Sequence, residues 1–351
     1  MKVIGYAAQS PTSAMAPFRF ERRALRPEDV GIEILYCGIC HSDLHQARND
    51  WHNSRYPVVP GHEIVGRVTS VGAAVTKYKV GDMVAVGCLV DSCQACPQCD
   101  NGLEQYCTNG PTLTYNGRDR QDRTPTYGGY SNAIVVREEF VLRVPEGLDP
   151  ARAAPLLCAG ITSWSPLRHW KVGPNSKIAV AGLGGLGHMG VKLAAGMGAD
   201  ITVITTSPAK AADARALGAQ DVLISTDETA MLQATGRFDF ILDTIPVGHD
   251  VGKYLSLLKV DGALVLVGVI EPLPSFHSGL LLGGRKILSG SGIGGIAETQ
   301  ALLDFCAEKN ILPDIEMTSM QAINQAFDRI EKADVKYRFV IDMATLAQDA
   351  A

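Results

Sequence analysis

The sequence predicts an α/β chain of two domains, a β-rich domain followed by a doubly wound parallel sheet. Up to about Pro145, short apolar runs alternate with turn residues, as they do in compact all-β domains. Beyond Gly173-Pro174, strand-like runs alternate with helix-like ones, the pattern of a parallel sheet covered by helices on both faces. Between the first strand and the first helix of that series lies the turn Gly182-Leu183-Gly184-Gly185-Leu186-Gly187.

A chain of 351 residues, 46% of them hydrophobic, is long enough to bury two cores. Its net charge of -5, with no block of Lys and Arg, leaves no footprint for nucleic acid or an anionic membrane surface. Small molecules are the expected partners. No stretch of about 18 apolar residues occurs that could span a membrane, and the N-terminal MKVIGYAAQSPTSAMAPF lacks a secretory apolar core. The expected location is therefore cytoplasmic. Nine cysteines are present, five of them between 88 and 107, and metal ligation explains that crowding better than a disulfide framework does.

Taken in order, KVIGYAA is a strand, a Pro-rich loop follows, and Val30 to Leu35 is the next strand. Cys37 to His45 (CGICHSDLH) places two thiols, a hydroxyl, a carboxylate and two imidazoles within nine residues. Val58 to Val68 continues as strand and Gly81 to Val86 is a turn entering another. Cys93, Cys96, Cys99 and Cys107 then follow the spacing C-x2-C-x2-C-x7-C. Four thiolates this close suit one tetrahedral zinc in a closed, structural site. An iron–sulfur cluster is the rival, but nothing else in the chain gives it an electron-transfer context. SNAIVV and Val141 to Pro145 complete the β-rich part.

Ala151 to His169 reads as a helical passage carrying Cys158, Thr162 and Trp164. The strands that follow are Lys177 to Ala181, Ile201 to Ile204, Val222 to Ile224, Phe238 to Asp243, Ala263 to Val267 and Lys286 to Leu288. Gly187 to Gly198, Ala209 to Leu217 and Gly252 to Leu258 are helices between them. The tail carries a helix over Ala297 to Lys309, a mixed segment, and a strand over Tyr337 to Ile341 that can rejoin the first domain.

Because the glycine turn follows a strand and opens a helix, it meets the structural condition of a dinucleotide fingerprint. Its glycines allow backbone N–H groups to approach a pyrophosphate at the positive end of the helix dipole. Gly182, Gly184, Gly185, Leu186 and Gly187 are the candidates. At the end of the next strand, an acid would hold a ribose 2′-hydroxyl and repel a 2′-phosphate. The residues there are Thr205-Thr206-Ser207-Pro208-Ala209-Lys210, with no acid before Asp213. Thr205, Thr206, Ser207 and Lys210 therefore favour NADP(H) over NAD(H). An alternative use for Thr206 and Ser207 is to cap the next helix.

GICHSDLH at 38–45, VPGHEIVGRV at 59–68, the four-cysteine lobe, PLLCAGIT at 155–162, GLGGLG, TTSPAK and LDFCAEKNI at 303–311 cover nearly the whole chain in order. Together they resemble the zinc-dependent medium-chain alcohol dehydrogenases, cinnamyl-alcohol-dehydrogenase branch. The resemblance implies a GroES-like catalytic domain formed by both chain ends (1–155 and 296–351), with a structural-zinc lobe at about 88–110, and a Rossmann domain at 156–295. It implies a catalytic zinc on Cys40, His62 and Cys158, the ligand set known for alcohol dehydrogenase, and thus two zinc ions per chain.

The same resemblance supplies the remaining roles. Glu63 either enters the zinc sphere or stands behind it, and Asp43 orients the histidine ligand. Ser42 hydrogen-bonds the substrate oxygen and passes its proton toward His45. Thr162 packs against nicotinamide; Val267, Gly290 and Ser291 are further cofactor candidates. Trp51 and Thr112 are candidates for the substrate pocket. Trp51 is bulkier than the aliphatic residue expected there, and the segment Thr108 to Thr112 lacks the aromatic that plant members place near it. The expected activity is thus a broad-range reduction of aromatic and aliphatic aldehydes, reversible as oxidation of a primary alcohol. An NAD-dependent polyol or secondary-alcohol dehydrogenase is the enzymatic alternative, and a non-catalytic zinc-binding module the alternative of another class. A homodimer is expected from the family.

Overall fold

The structure is a computed structural model and describes residues 1–268 and 271–349. The chain forms two compact units, Met1–Cys158 with Gly294–Ala351, and Ala159–Ile293. Among the described residues no helix is long and apolar enough to cross a membrane.

The first unit is organised around the strand Asp29–Ile39, which is long because it has different partners along its length. One edge pairs antiparallel with Ala133–Arg137 over its first half and with Arg338–Asp342 over its last. The other edge pairs with Ile64–Val71, which continues to Met83–Val86 and Leu142–Arg143. The tail strand thus joins the sheet beside Cys37 and Gly38, and Ile315–Ser319 adds outside it in parallel. Val30, Ile32, Ile64, Val84, Ile134, Phe140 and Phe339 are almost wholly buried, each such side chain contributing roughly 1.5–3 kcal/mol.

Val58 to Val68 is not one strand, as the sequence suggests; Val58 makes an isolated bridge to Ala8 and the strand begins at Ile64. The reason is Gly61, held at φ +97, where an added Cβ would lie 2.7 Å from the Tyr130 ring. The four-cysteine lobe is tied down by Glu104, which accepts from the backbone N–H of Ile296 at 3.1 Å, the start of the helix Ile296–Lys309.

The second unit is a six-stranded parallel sheet. Its order across the sheet is Asp221–Ile224, Asp200–Thr205, Lys177–Ala181, Phe238–Asp243, Leu258–Leu266, Ile287–Gly290. In chain sequence this is 3-2-1-4-5-6, the Rossmann order, which puts a ligand crevice at the carboxyl ends where the order reverses. The passage expected as one helix from Ala151 to His169 is broken. Pro155 lies in a tight 3-10 turn, Cys158 leaves helical geometry at φ -130, and the helix resumes at Ala159. Gly252 to Leu258 is shorter than expected, because the helix stops at Ser256 and Leu258 already belongs to the next strand.

Candidate active site

Cys37 to His45 folds as the end of the central strand running straight into the helix His41–Arg48, with Cys40 at the N-cap position. The Asp43 side chain reaches back to the helix start, where its Oδ2 accepts from the Cys40 backbone N–H at 2.9 Å and from the Tyr130 hydroxyl at 3.1 Å. Its Oδ1 accepts from the Gly61 N–H at 2.9 Å and from His62 Nδ1 at 3.0 Å. Asp43 is completely buried. With Nδ1 donating to a carboxylate, the neutral His62 ring presents the lone pair of Nε2, the arrangement of a metal-binding imidazole.

Cys40, His62, Glu63 and Cys158 are all buried, and their candidate ligand atoms lie within 4.8 Å of one another. The Sγ atoms of Cys40 and Cys158 are 3.9 Å apart. Tetrahedral zinc with Zn–S bonds of about 2.3 Å would space two sulfurs by about 3.8 Å, so the donors fit the ion. The break at Cys158 is what carries its sulfur there. Cys93, Cys96, Cys99 and Cys107 form a second such group, with Cys93–Cys99 and Cys96–Cys99 sulfur separations of 3.9 and 3.5 Å.

The Cys158 thiol shares its proton with the Cys40 sulfur, which lowers the Cys40 pKa and raises that of Cys158. Burial is the largest single influence and would make His62 less basic, but Asp43 together with the Cys88 and Cys40 sulfurs outweighs it and raises the His62 pKa. Glu63 accepts from Arg338 Nη2, a pair buried on both sides. Burial pushes its carboxyl up to about 7 against the pull of Arg338. Its other oxygen has no hydrogen-bond partner among the described residues. One oxygen is thus held in place while the second is unpaired, which is compatible with either role expected of Glu63.

Ser42 Oγ lies 3.7 Å from the Cys40 sulfur. His45 Nδ1 is 2.7 Å from Asp50 Oδ2, and the half-exposed Trp51 ring stands 5.7 Å from the His45 ring. Thr112 is buried in a short strand paired with Leu89–Asp91. It borders a cavity of about 310 Å³ lined by Arg22, Asp91 and Arg137, not the thiol cluster. The ring from this stretch that reaches the cluster is Tyr115, buried and 5.5 Å from His62. Tyr115, Tyr130 and Arg338 escape sequence reasoning because a single Tyr or Arg forms no pattern. Only the proximity of Tyr115 to the cysteine lobe was a signal.

In the second unit, Gly182 has φ +90 and follows the strand Lys177–Ala181. A Cβ on Gly187 would lie 2.2 Å from the Gly182 carbonyl oxygen, so the turn closes only with glycine there. Gly184, Gly185 and Leu186 complete it, and Ser163, in the same helix as the buried Thr162, donates to the Leu186 carbonyl at 3.2 Å. Thr205 ends the neighbouring strand. Ser207 occupies an N-cap position but makes no capping bond, so its hydroxyl is not consumed there. Lys210 Nζ donates to the Leu183 carbonyl at 3.1 Å, bringing its charge to the glycine turn. Val267 and Ser291 continue the ladder past the ends of adjacent strands, and Gly290 ends one of them. All these candidates therefore gather at the carboxyl edge of one sheet.

Comparison with known proteins agrees with both units. Residues 26–146 match the alcohol dehydrogenase GroES-like domain and residues 185–308 the zinc-binding dehydrogenase family. The fold and the site thus define a zinc-binding dehydrogenase with a GroES-like and a Rossmann domain. NADP-dependent alcohol dehydrogenase C 1 of Mycolicibacterium smegmatis is 54% identical over 98% of this chain and 99% of its own. Aldehyde reductase YahK of Escherichia coli is 51% identical over 99% of each. A cinnamyl alcohol dehydrogenase of Sorghum bicolor superposes with a TM-score of 0.95 at 45% identity, covering 98% of both chains. The chain belongs to the zinc-dependent medium-chain alcohol dehydrogenases, in the cinnamyl-alcohol-dehydrogenase branch.

Proposed function

We propose that this protein transfers hydride between NADP(H) and a primary alcohol/aldehyde pair, acting as a broad-range reductase of aromatic and aliphatic aldehydes. The observation that carries it is the buried Cys40–His62–Cys158 cluster, its imidazole oriented by Asp43, in a chain whose glycine turn lacks a following acid. The relatives named for NADP-dependent alcohol oxidation and aldehyde reduction support the same reading.

Cys40, His62 and Cys158 would hold the catalytic zinc, and Cys93, Cys96, Cys99 and Cys107 a structural one. When bound, the catalytic zinc supplies a Lewis acid that polarises an aldehyde carbonyl or acidifies an alcohol, while NADP(H) carries the hydride. Asp43 fixes the His62 tautomer. The Ser42 hydroxyl holds the substrate oxygen and moves its proton toward His45, which Asp50 keeps in place. Glu63 and Arg338 keep a carboxylate oxygen in reserve at the cluster. Thr205, Thr206, Ser207 and Lys210 offer hydroxyls and a cation to a 2′-phosphate. Trp51 and Tyr115 provide aromatic walls beside His45 and His62.

The catalytic domain comprises 1–155 and 296–351 and the NADP domain 156–295; the two compact units support this assignment. The protein acts in the cytoplasm as a homodimer paired through the nucleotide domain. The test is an aldehyde panel followed by loss of nicotinamide absorbance with NADPH and with NADH. NADPH is expected to give the higher kcat/KM by at least tenfold; equal or better turnover with NADH would sink the cofactor assignment.

A further inference from the structure

We infer that Arg55, Arg118, Arg120 and Arg123 form an anion site for a phosphate-class ligand, separate from the thiol cluster. They line a cavity of about 360 Å³ to which no carboxylate contributes. Among the described residues none of the four makes an ion pair; the acids nearest in sequence are committed elsewhere. Asp119 is held by Arg26 at 2.9 Å and Arg23 at 3.2 Å, and Asp122 by Arg26 at 2.8 Å. Both carboxylates are held below the usual pKa range: burial is the largest single influence on Asp119 and opposes this, but hydrogen bonds from Arg26 and from the backbone N–H groups of Gln121 and Asp122 together outweigh it, and for Asp122 the Thr124 hydrogen bonds lead.

The separation of charge follows from the local backbone. Arg118 bridges to Pro125 in antiparallel fashion and Asp119 N–H donates to the Thr124 carbonyl, so this stretch is a small hairpin. Asp119 turns to Arg23 and Arg26, while Arg118 at the bridge and Arg120 in the tight turn line the cavity.

Two of the guanidiniums are held in place by carbonyls. Arg118 Nη1 donates to the Arg123 carbonyl at 3.0 Å, and Arg120 Nη1 to the Gly110 carbonyl at 2.7 Å. Arg55 is tied to the same wall, its N–H donating to Asn116 Oδ1 at 2.9 Å. A merely solvated face would leave long side chains free, whereas here part of the ordering cost of binding is already met. Four like charges facing one space repel one another, and a multivalent oxyanion relieves that repulsion most effectively. The planar fork of Arg matches phosphate oxygens in bidentate pairs. Inorganic phosphate, pyrophosphate and a phosphate monoester share this chemistry.

The test is calorimetric titration of the zinc-loaded protein, saturated with NADP⁺ so that its own phosphate site is filled. Phosphate, pyrophosphate and glycerol phosphate are compared with sodium chloride at matched ionic strength. Binding of at least one phosphate species, beyond chloride, is expected. Arg118→Ala/Arg120→Ala/Arg123→Ala should weaken it at least tenfold, Arg120→Lys partially, and Lys253→Ala, an exposed cation in the other unit, not at all. A preference for glycerol phosphate points to an esterified ligand, and one for pyrophosphate to a free anion. No heat beyond chloride, or equal affinity in wild type and the single Arg120→Lys and triple variants, would overturn the site. Unchanged zinc content and NADP⁺ affinity in the variants separate loss of the site from loss of the fold.

Discussion

Asp43 has two oxygens and four donors, and that ratio decides what a conservative change would do. The backbone N–H groups of Cys40 and Gly61, the Tyr130 hydroxyl and His62 Nδ1 all point at a carboxylate with no solvent contact. Asp43→Asn replaces one acceptor by an NH₂, so a donor faces donors whichever way the amide flips. A buried unsatisfied group costs about 1–3 kcal/mol, and loss of an orienting partner typically lowers metal affinity about 10–100-fold. After dialysis against a chelator, Asp43→Asn is expected to retain one zinc equivalent where the wild type retains two; equal retention would remove the orienting role. The four-cysteine lobe was legible from its spacing, whereas Cys40, His62 and Cys158 came from the resemblance, which their stretches GICHSDLH, VPGHEIVGRV and PLLCAGIT carry. Three of the four donors that satisfy Asp43 come from the main chain and a distant tyrosine, and none of these leaves a local trace.

The strap after the central parallel strand shows how an element can hold a turn it does not contain. Phe238–Asp243 ends at a fully buried carboxylate, and Thr244, the next residue, donates to the Ala181 carbonyl at 2.8 Å beside the glycine turn. His249 closes the strap, with Nε2 2.7 Å from Asp243 Oδ2 and Nδ1 2.8 Å from the Val247 carbonyl. Both neighbours only accept, so both ring nitrogens carry protons and the imidazole is cationic. Asp243 raises its pKa chiefly through that hydrogen bond, against partial burial, with Asp250 adding to the rise and the Tyr254 ring packed edge-on. Its stabilisation is therefore complete below the ordinary value of about 6.5 and fades as pH climbs through the higher folded value. Denaturant unfolding should show His249→Gln less stable than wild type by about 1.5–3 kcal/mol at pH 6, with the gap narrowing by pH 9; a constant gap would exclude the charged form. The alternating strands and helices of this unit were readable because each repeats one period. The helix His41–Arg48 was not, since Leu44 and Ala47 are its only apolar residues, too few to set a period. Ile323–Glu331 buries Ile323, Ala326, Phe327 and Ile330 on one face, a regular helical spacing that a mixed reading of the tail passed over.

At the scale of the whole molecule, the two-unit plan was legible because the β-rich and alternating regions differ in pattern. The return of the tail strand to Asp29–Ile39 was legible only as a loose strand, since pairing partners over three hundred residues apart leave no local signal. The same topology leaves two edges open, Asp221–Ile224 and Ile287–Gly290, and among the described residues Ile287–Gly290 pairs on one side only. Ile287 is 44% exposed, and nearby Leu282 is 80% exposed. A flat apolar edge offers unpaired N–H and C=O groups to another chain, and proteins cover such edges or charge them. No charged residue interrupts Ile287 to Gly290, so pairing with the same strand of a second copy is the economical cover, and a two-fold contact of this kind is self-complementary. Ile287→Glu sets two carboxylates close together across that axis while leaving Leu264 and the rest of the buried sheet untouched. Sedimentation equilibrium is expected to give a dimer for the wild type and a shift of at least tenfold toward monomer for Ile287→Glu, with zinc content unchanged. A dimer that survives the substitution with the same dissociation constant would place the interface elsewhere on the surface.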